Sequence, residues 1–360
     1  MPVDILSPQR ELALTSILEG ARTQNITPGG VLLVGNPSYG AFKVLCNGTL
    51  GRTREITPVT QNSLYDLASL TKLVSTLHLL LILMSKPQEG STHPPLTLSS
   101  PLQDLSPQAL NCPSPKPALE IPADLKGITL RDLLSHQSGL PPWRPLYLNP
   151  GSLNPQERKE RALKAILSER LQFRPGESTL YSDLGFILLG FIVEENQNKT
   201  LSPLFKELIS DPLGLASTLY SPKLIPPGKT LPEIAPTEDG FRRGGPLDYL
   251  GAPILGPVPP GHPHDDNAGF LSGAAGHAGL FSVTEDLFII VKAFAKALSS
   301  QNPTVSQELI KECLIPQKAK DGSQRPLGFD MLQLKKGALF GHLGYTGVTL
   351  WWSHELDRVL

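Results

Sequence analysis

Cysteine is scarce: Cys46, Cys112 and Cys313 are all that 360 residues contain. They are odd in number, far apart, and never in a C-x-x-C spacing. That argues against a disulfide framework or a zinc ribbon. Long apolar runs are also missing. The longest, Leu77 to Met84, includes His78 and falls well short of the ~20 residues a membrane-spanning helix needs. No charge sign dominates, with 32 Lys and Arg against 33 Asp and Glu for a formal net charge of −1. The densest basic spots are the dipeptides Arg242-Arg243 and Lys335-Lys336, so neither nucleic acid nor an anionic membrane is an expected partner. The first residues lack the basic start and apolar stretch of a secretory signal, with Arg10, Glu11 and Glu19 close by. As written, the chain reads as cytoplasmic, with a periplasmic or extracellular location if the start codon is misassigned. No signal for an oligomeric state is found.

Turn-forming residues are abundant: 36 prolines and 32 glycines. Hydrophobic residues make up 40% and charged residues 18%, which suits a globular chain with a sizeable core. Residues 8–24 pattern as an amphipathic helix. Two strand-like runs, 30–35 and 41–45, flank Asn36-Pro37-Ser38-Tyr39-Gly40 and predict an antiparallel hairpin. A buried helix follows at 69–84. Helical patterns return at 129–136, 155–171, 184–195, 202–210 and 283–298, and strand-like runs at 337–343 and 347–352. Residues 86–127 and 221–264 are rich in Pro, Gly and Ser and read as irregular loops. This order predicts an α/β chain of the α+β sandwich type. An antiparallel sheet drawn from both chain ends is flanked by helices and carries an inserted, mostly helical lobe. The boundaries are 1–75 with 270–360 for the sheet lobe and 76–269 for the insert. A site is expected in the cleft between them.

Three short motifs carry chemistry. Ser69-Leu70-Thr71-Lys72 is an S-x-x-K, and on a helix residues three apart share a face, so hydroxyl and amine can meet. A serine at the first turn also sits beside free backbone N–H groups that can hold an oxyanion. Lys72 lies among apolar residues, and burial lowers a lysine pKa toward that of a base. The bland alternative is a capping serine and a snorkelling lysine. Tyr181-Ser182-Asp183 precedes an apolar helix; Tyr181 and Asp183 can face one cleft, or Asp183 can cap that helix. Gly341-His342-Leu343-Gly344 lies on the strand at 337–343, where a glycine lets a substrate backbone approach the strand edge.

Taken in order, these resemble the S-x-x-K, Y-x-N and K-T-G motifs of class C β-lactamases, DD-peptidases and related esterases. The segments 129–140, 211–215 and 276–282 are also similar to that superfamily, and the resemblance spans about residues 30–352. It implies a β-lactamase/transpeptidase-like fold and a serine hydrolase without a metal or other cofactor. Ser69 would be acylated, Lys72 and Tyr181 would share acid–base work, and the N–H groups of Ser69 and Tyr345 would form the oxyanion hole. Which of Lys72 and Tyr181 is the base stays open.

Departures from the pattern shape the expectation. Asp183 stands where Asn is usual, and a carboxylate there favours the charged ammonium of Lys72. His342 and Leu343 replace Lys and Thr, which weakens recognition of a β-lactam carboxylate. An esterase or D-amino-acid peptidase is therefore expected, acting on a small ester or a D-alanyl peptide, with weak or no β-lactamase activity. The alternative is a silent penicillin-binding-like protein that binds a peptidoglycan-type ligand. Only residues 345–360 follow the third motif, so the covering C-terminal helix of the family is expected to be missing, as in a truncated reading frame. Trp351 and Trp352 would then sit near an exposed edge or face. His262, His264, Asp265 and Asp266 cluster like metal ligands but lack helical zinc-site spacing, so no metal is expected. Asn267, which follows them, is expected to contact or support the substrate. His136 is expected to bond the carbonyls ending its helix, and His277 to be structural in its loop or, alternatively, to line the site.

Overall fold

The computed structural model describes residues 5–51, 57–86, 95–105, 120–148, 153–222, 233–237 and 258–360. The loops expected at 86–127 and 221–264 fall partly outside these residues, as does Cys112.

The N-terminal hairpin forms as its sequence dictates. Helix α1 (Pro8–Thr23) starts on a proline, whose missing N–H is no loss in a first turn. Strands β1 (Gly29–Asn36) and β2 (Ala41–Gly48) pair antiparallel along their full length. The turn between them uses Asn36, whose Oδ1 accepts from the Tyr39 N–H at 3.0 Å, and Gly40 at φ +65°. A short β3 (Tyr65–Asp66) follows. Wide π-helical turns then span Lys72–Leu77 and run into α2 (His78–Ser85), a wholly apolar stretch except at its ends. The expected helix at 69–84 is thus present but underwound in its first half, a distortion that frequently marks functional sites.

The helical middle contains α3 (Leu102–Leu105), α4 (Leu130–Leu134), α5 (Pro155–Leu167), α6 (Asp183–Gln197), α7 (Leu201–Phe205) and α8 (Asp211–Leu213). Reciprocal capping boxes start two of them, Thr129 with Asp132 at α4 and Asn154 with Glu157 at α5. Then come β4 (Leu219–Tyr220), α9 (Asp266–Phe270), β5 (Leu280–Ser282), α10 (Thr284–Leu298) and α11 (Gln307–Cys313). The small strands β6 (Gln317–Lys318) and β7 (Gln324–Arg325) lead to β8 (Asp330–Gln333), β9 (Ala338–Leu343), β10 (Thr349–Ser353) and β11 (Arg358–Val359).

Both chain ends share one six-stranded antiparallel sheet, ordered β2-β1-β11-β10-β9-β8. Strand β3 lies apart, in a three-stranded sheet with β5 and β4. On the large sheet, α10 covers one face: Phe288 fills the space over Gly35, where a Cβ would lie 2.4 Å from the ring. Helix α1 lies on the other face, with Leu18 over Gly30.

The exposed edge expected after β9 does not occur. Strand β11 pairs with β10 on one side and, through Val359 and Gly35, with β1 on the other. The sheet's edges are instead β2 and β8. Trp351 and Trp352 are both buried. Trp351 packs over Gly341, which is its pairing partner and has no side chain to obstruct the ring.

Candidate active site

The chain enters the site through a strained turn. Ala68 adopts φ +43°, a left-handed conformation that L-residues avoid. Asp66 supports it: Oδ1 accepts from the Ala68 N–H at 2.8 Å and Oδ2 from the His264 N–H at 2.7 Å. Burial pushes the Asp66 carboxyl up to about 6, against the pull of those two N–H groups. Ser69 follows, half-buried, and the helix begins at Leu70.

Lys72 lies one turn on and is fully buried. Its Nζ donates to Ser69 Oγ at 3.0 Å, to Asp183 Oδ1 at 2.7 Å and to the His277 carbonyl at 3.3 Å. An ammonium has three hydrogens, so all are used. Burial alone would drive its pKa down, but the Asp183 carboxylate and the Tyr181 phenol outweigh it and hold the pKa above the usual lysine value. Of the two opposing effects expected on Lys72, burial favours the neutral amine, and the Asp183 carboxylate, together with Tyr181, favours the ammonium and prevails.

Tyr181 reaches the serine from the other side, donating to Ser69 Oγ at 2.9 Å. Burial raises its pKa, so the phenol keeps its proton at rest although Lys72 lies 4.8 Å from the ring centre. The Tyr181-Ser182-Asp183 segment is stitched to residues 136–142. Leu180 N–H donates to the His136 carbonyl at 2.8 Å, and Asp183 N–H to the Pro142 carbonyl at 2.8 Å. Ser182, not Asp183, caps α6: its Oγ accepts from the Gly185 N–H at 3.2 Å. That leaves the Asp183 carboxylate free to reach Lys72. His136 is left-handed (φ +57°), and its Nδ1 accepts from the Ser182 N–H at 2.9 Å instead of bonding helix carbonyls. Burial holds it neutral, and its ring packs 4.6 Å from that of Tyr181.

The third motif closes the site. Gly344 sits against the Ser69 turn, where a Cβ would come 2.7 Å from the Leu67 carbonyl oxygen. Thr346 Oγ1 donates to the Asp66 carbonyl at 2.7 Å, so the turn carrying Tyr345 is tied to the one carrying Ser69. The exposed Tyr345 ring packs 5.4 Å from that of His264. His342 is buried, with its Nδ1 2.7 Å from the Leu343 carbonyl. Burial and the nearby Lys72 push its pKa down to about 3, so it is a neutral imidazole there.

Asn267 does not reach out of the core. Its Oδ1 accepts from Leu146 N–H and its Nδ2 donates to the Arg144 carbonyl, both at 2.8 Å, so it braces residues 144–146. Among the described residues, no group of three or more His, Cys, Asp or Glu is arranged to hold a metal. Asp265 is engaged otherwise, capping α9 through the Ala268 N–H at 2.7 Å and meeting His277 Nε2 at 2.8 Å.

Sequence reasoning missed Arg325, whose guanidinium lies 5.3 Å from the Tyr181 ring centre and pairs with Asp330. It sits on a two-residue strand inside no recognisable motif. The main-chain acceptor at residue 277 was equally invisible, because carbonyls are common to every residue.

Known proteins bear on this arrangement. The Beta-lactamase family profile matches residues 40–360. The chain belongs to the beta-lactamase family. This family chain is 34% identical over 237 residues to an Escherichia coli (strain K12) protein named "Putative D-alanyl-D-alanine carboxypeptidase". The match covers 65% of this chain and 51% of the relative. The chain thus spans about half the length of the curated relatives it matches. Among solved structures, the octameric penicillin-binding protein homologue of Pyrococcus abyssi superposes with a TM-score of 0.68 at 20% identity, covering 97% of this chain and 72% of that one. D-amino acid amidase from Ochrobactrum anthropi SV3, complexed with D-phenylalanine, superposes with a TM-score of 0.64 at 21% identity, covering 97% and 89%. At such identities the likeness establishes the β-lactamase/transpeptidase-like fold.

Proposed function

We propose that this family member is a serine hydrolase working through a covalent acyl-enzyme on Ser69. The observation that carries the reading is the convergence of Lys72 Nζ and Tyr181 OH on one accessible hydroxyl, at 3.0 and 2.9 Å. Both lone pairs of Ser69 Oγ are thereby occupied, which leaves its own hydrogen to be removed as it attacks. At rest Lys72 and Tyr181 both hold their protons, so the reactive form has lost one proton from the coupled pair. Ser69 Oγ then bonds to the substrate carbonyl carbon and its proton passes to that pair. The carbonyl oxygen gathers charge facing the N–H groups of Ser69 and Tyr345. The pair returns the proton to the leaving alcohol or amine, and water later cleaves the Ser69 ester. Asp183 tunes this machinery by holding the lysine charged.

The substrates are short esters and amides or peptides built on D-amino acids, in line with the names of the carboxypeptidase relative and the amidase neighbour. Neutral His342 offers no cation to a β-lactam carboxylate. Arg325 lies on the Tyr181 side with its charge shared with Asp330, and the carboxylate end of a D-alanyl peptide would compete with Asp330 for it. We assign residues 1–75 with 270–360 to a sheet-bearing lobe and 76–269 to a mostly helical inserted lobe, with the site in the cleft between them. No described helix is long and apolar enough to cross a membrane.

The test compares kcat/KM for p-nitrophenyl acetate, a D-alanine anilide, a D-alanyl-D-alanine peptide and nitrocefin. The reading expects an ester or D-amide to be the best substrate. Faster turnover of nitrocefin than of all three others would overturn the substrate assignment.

A further inference from the structure

The structure assigns a positioning role to the pair formed by half-buried Asp265 and buried His277: it fixes the main-chain carbonyl that takes the third hydrogen of Lys72. This rests on the reading of Lys72 as part of the acid–base machinery.

The carbonyl of residue 277 has little freedom. Just before it, Gly276 is pressed against α6: a Cβ there would lie 2.0 Å from the Phe186 carbonyl oxygen and 2.9 Å from Gly190 Cα. The Gly276 carbonyl accepts from Thr76 Oγ1 at 2.6 Å, on the same π-helical segment that carries Lys72. The remaining freedom is rotation about residue 277 itself, and its ring resists that. His277 is 1% exposed. Among the described residues its Nδ1 has no partner, and the 2.8 Å contact of Nε2 with Asp265 Oδ1 is the ring's one polar attachment there. Asp265 can only accept when ionised, and its pKa is depressed to about 2: burial opposes the charge, but His277 and the Ala268 N–H outweigh it. The hydrogen therefore lies on Nε2. Asp265 is anchored in turn by capping α9, whose Asn267 braces residues 144–146. A rigid chain of contacts thus runs from α9 through an imidazole to the ammonium.

Losing this lock lets the carbonyl turn away, and the ammonium form of Lys72 loses a hydrogen-bond acceptor. Directly facing Lys72 are Asp183 and Tyr181; His136, His342, Asp265 and Asp330 feel its charge from further off. Of these, Asp265 bonds the His277 ring, so His277→Ala removes its partner together with the lock, whereas His277→Gln keeps both.

The experiment measures ester turnover against pH, normalised to titrated active sites, for wild type, His277→Ala and His277→Gln. The expected result for His277→Ala is a roughly tenfold or greater loss in kcat with little change in KM. Its acidic limb should move to lower pH, because the weakened ammonium gives up its proton sooner. His277→Gln keeps an N–H that can reach Asp265 and should recover most of both. A brace that acts on stability alone would lower the number of active sites and leave the limb unmoved, which would overturn the inference. So would a Gln variant no better than Ala. Should His277→Ala fail to fold, His277→Asn, whose amide is too short to reach Asp265, takes its place. In parallel, NMR titration of protein carrying 13C at the lysine ε-carbons reads the Lys72 pKa without turnover. A lower Lys72 pKa in the variant supports the lock even if the wild type proves inactive, and an unchanged one contradicts it.

Discussion

Replacing Asp183 by Asn removes the carboxylate that holds Lys72 charged, and its consequence has a definite sign. The ammonium loses its closest counter-charge, so the Lys72–Tyr181 pair deprotonates at lower pH. The acidic limb of kcat/KM for an ester should shift to lower pH by about one unit, the size of one close charge interaction. A limb that stays in place or moves up would contradict the assignment of the limb to this pair. Two other carboxyls predict opposite effects on stability. Asp66 is raised to about 6, so between roughly pH 4 and 6 the folded chain binds more protons than the unfolded one. Its contribution to stability therefore falls as pH rises through that window, by on the order of 3 kcal/mol. Asp265, depressed to about 2, contributes stability above pH 4 that is lost as pH falls toward 2. Urea midpoints from pH 2 to 7 should show the first slope vanish in Asp66→Asn and the second in Asp265→Asn. Ser69, Lys72 and Tyr181 were legible in the sequence because local spacing and motif order carry them. Asp66, His277 and Arg325 were not, since each acts through contacts that only the folded chain creates. The His277 carbonyl and Lys72, for example, lie 205 residues apart in the chain.

Among the elements, the glycine contact between α6 and the 276 segment sets how near the helical middle can come to the Lys72 helix. A Cβ on Gly190 would fall 2.9 Å from Gly276 N and 3.3 Å from Leu201 Cδ1. Alanine is the better helix former by ~1 kcal/mol, yet the neighbouring backbone cannot yield. Gly190→Ala should therefore destabilise the protein by about 1–3 kcal/mol, as overpacked cores do, and reduce kcat by displacing residues 276–277. Equal or greater stability in thermal unfolding would contradict this. Most helices and both terminal sheet segments were readable from periodicity and turn residues. The π-helical turns at Lys72–Leu77 were not, because an apolar run looks the same at 3.6 or more residues per turn. The Ser182 cap was ambiguous for a related reason: Ser182 and Asp183 are both good capping residues, and only packing against Pro142 decides between them.

For the whole molecule, the sheet is where distant parts of the chain meet. Its joint is narrow: β11 has two residues, and Val359, 2% exposed, faces Gly35 on one side and Trp352 on the other. A carboxylate there would be buried without a partner. Val359→Asp should cost more than about 4 kcal/mol and leave little folded protein, read by circular dichroism. Near-native stability would mean the N-terminal hairpin does not depend on this joint. The sequence showed that both ends contribute strands to one sheet. Residues 358–360 also read as the start of a strand, but their pairing with β1 did not, because a contact between opposite chain ends leaves no local signal. Lys72 and Tyr181 converge on the Ser69 hydroxyl, and the proposed acyl-enzyme depends on its reactivity. The decisive measurement is intact-protein mass after incubation with a fluorophosphonate, for wild type and Ser69→Ala. One adduct per chain is expected on the wild type and none on the variant. An unmodified wild type shown to be folded, or an adduct that persists in Ser69→Ala, would contradict the proposed acyl-enzyme.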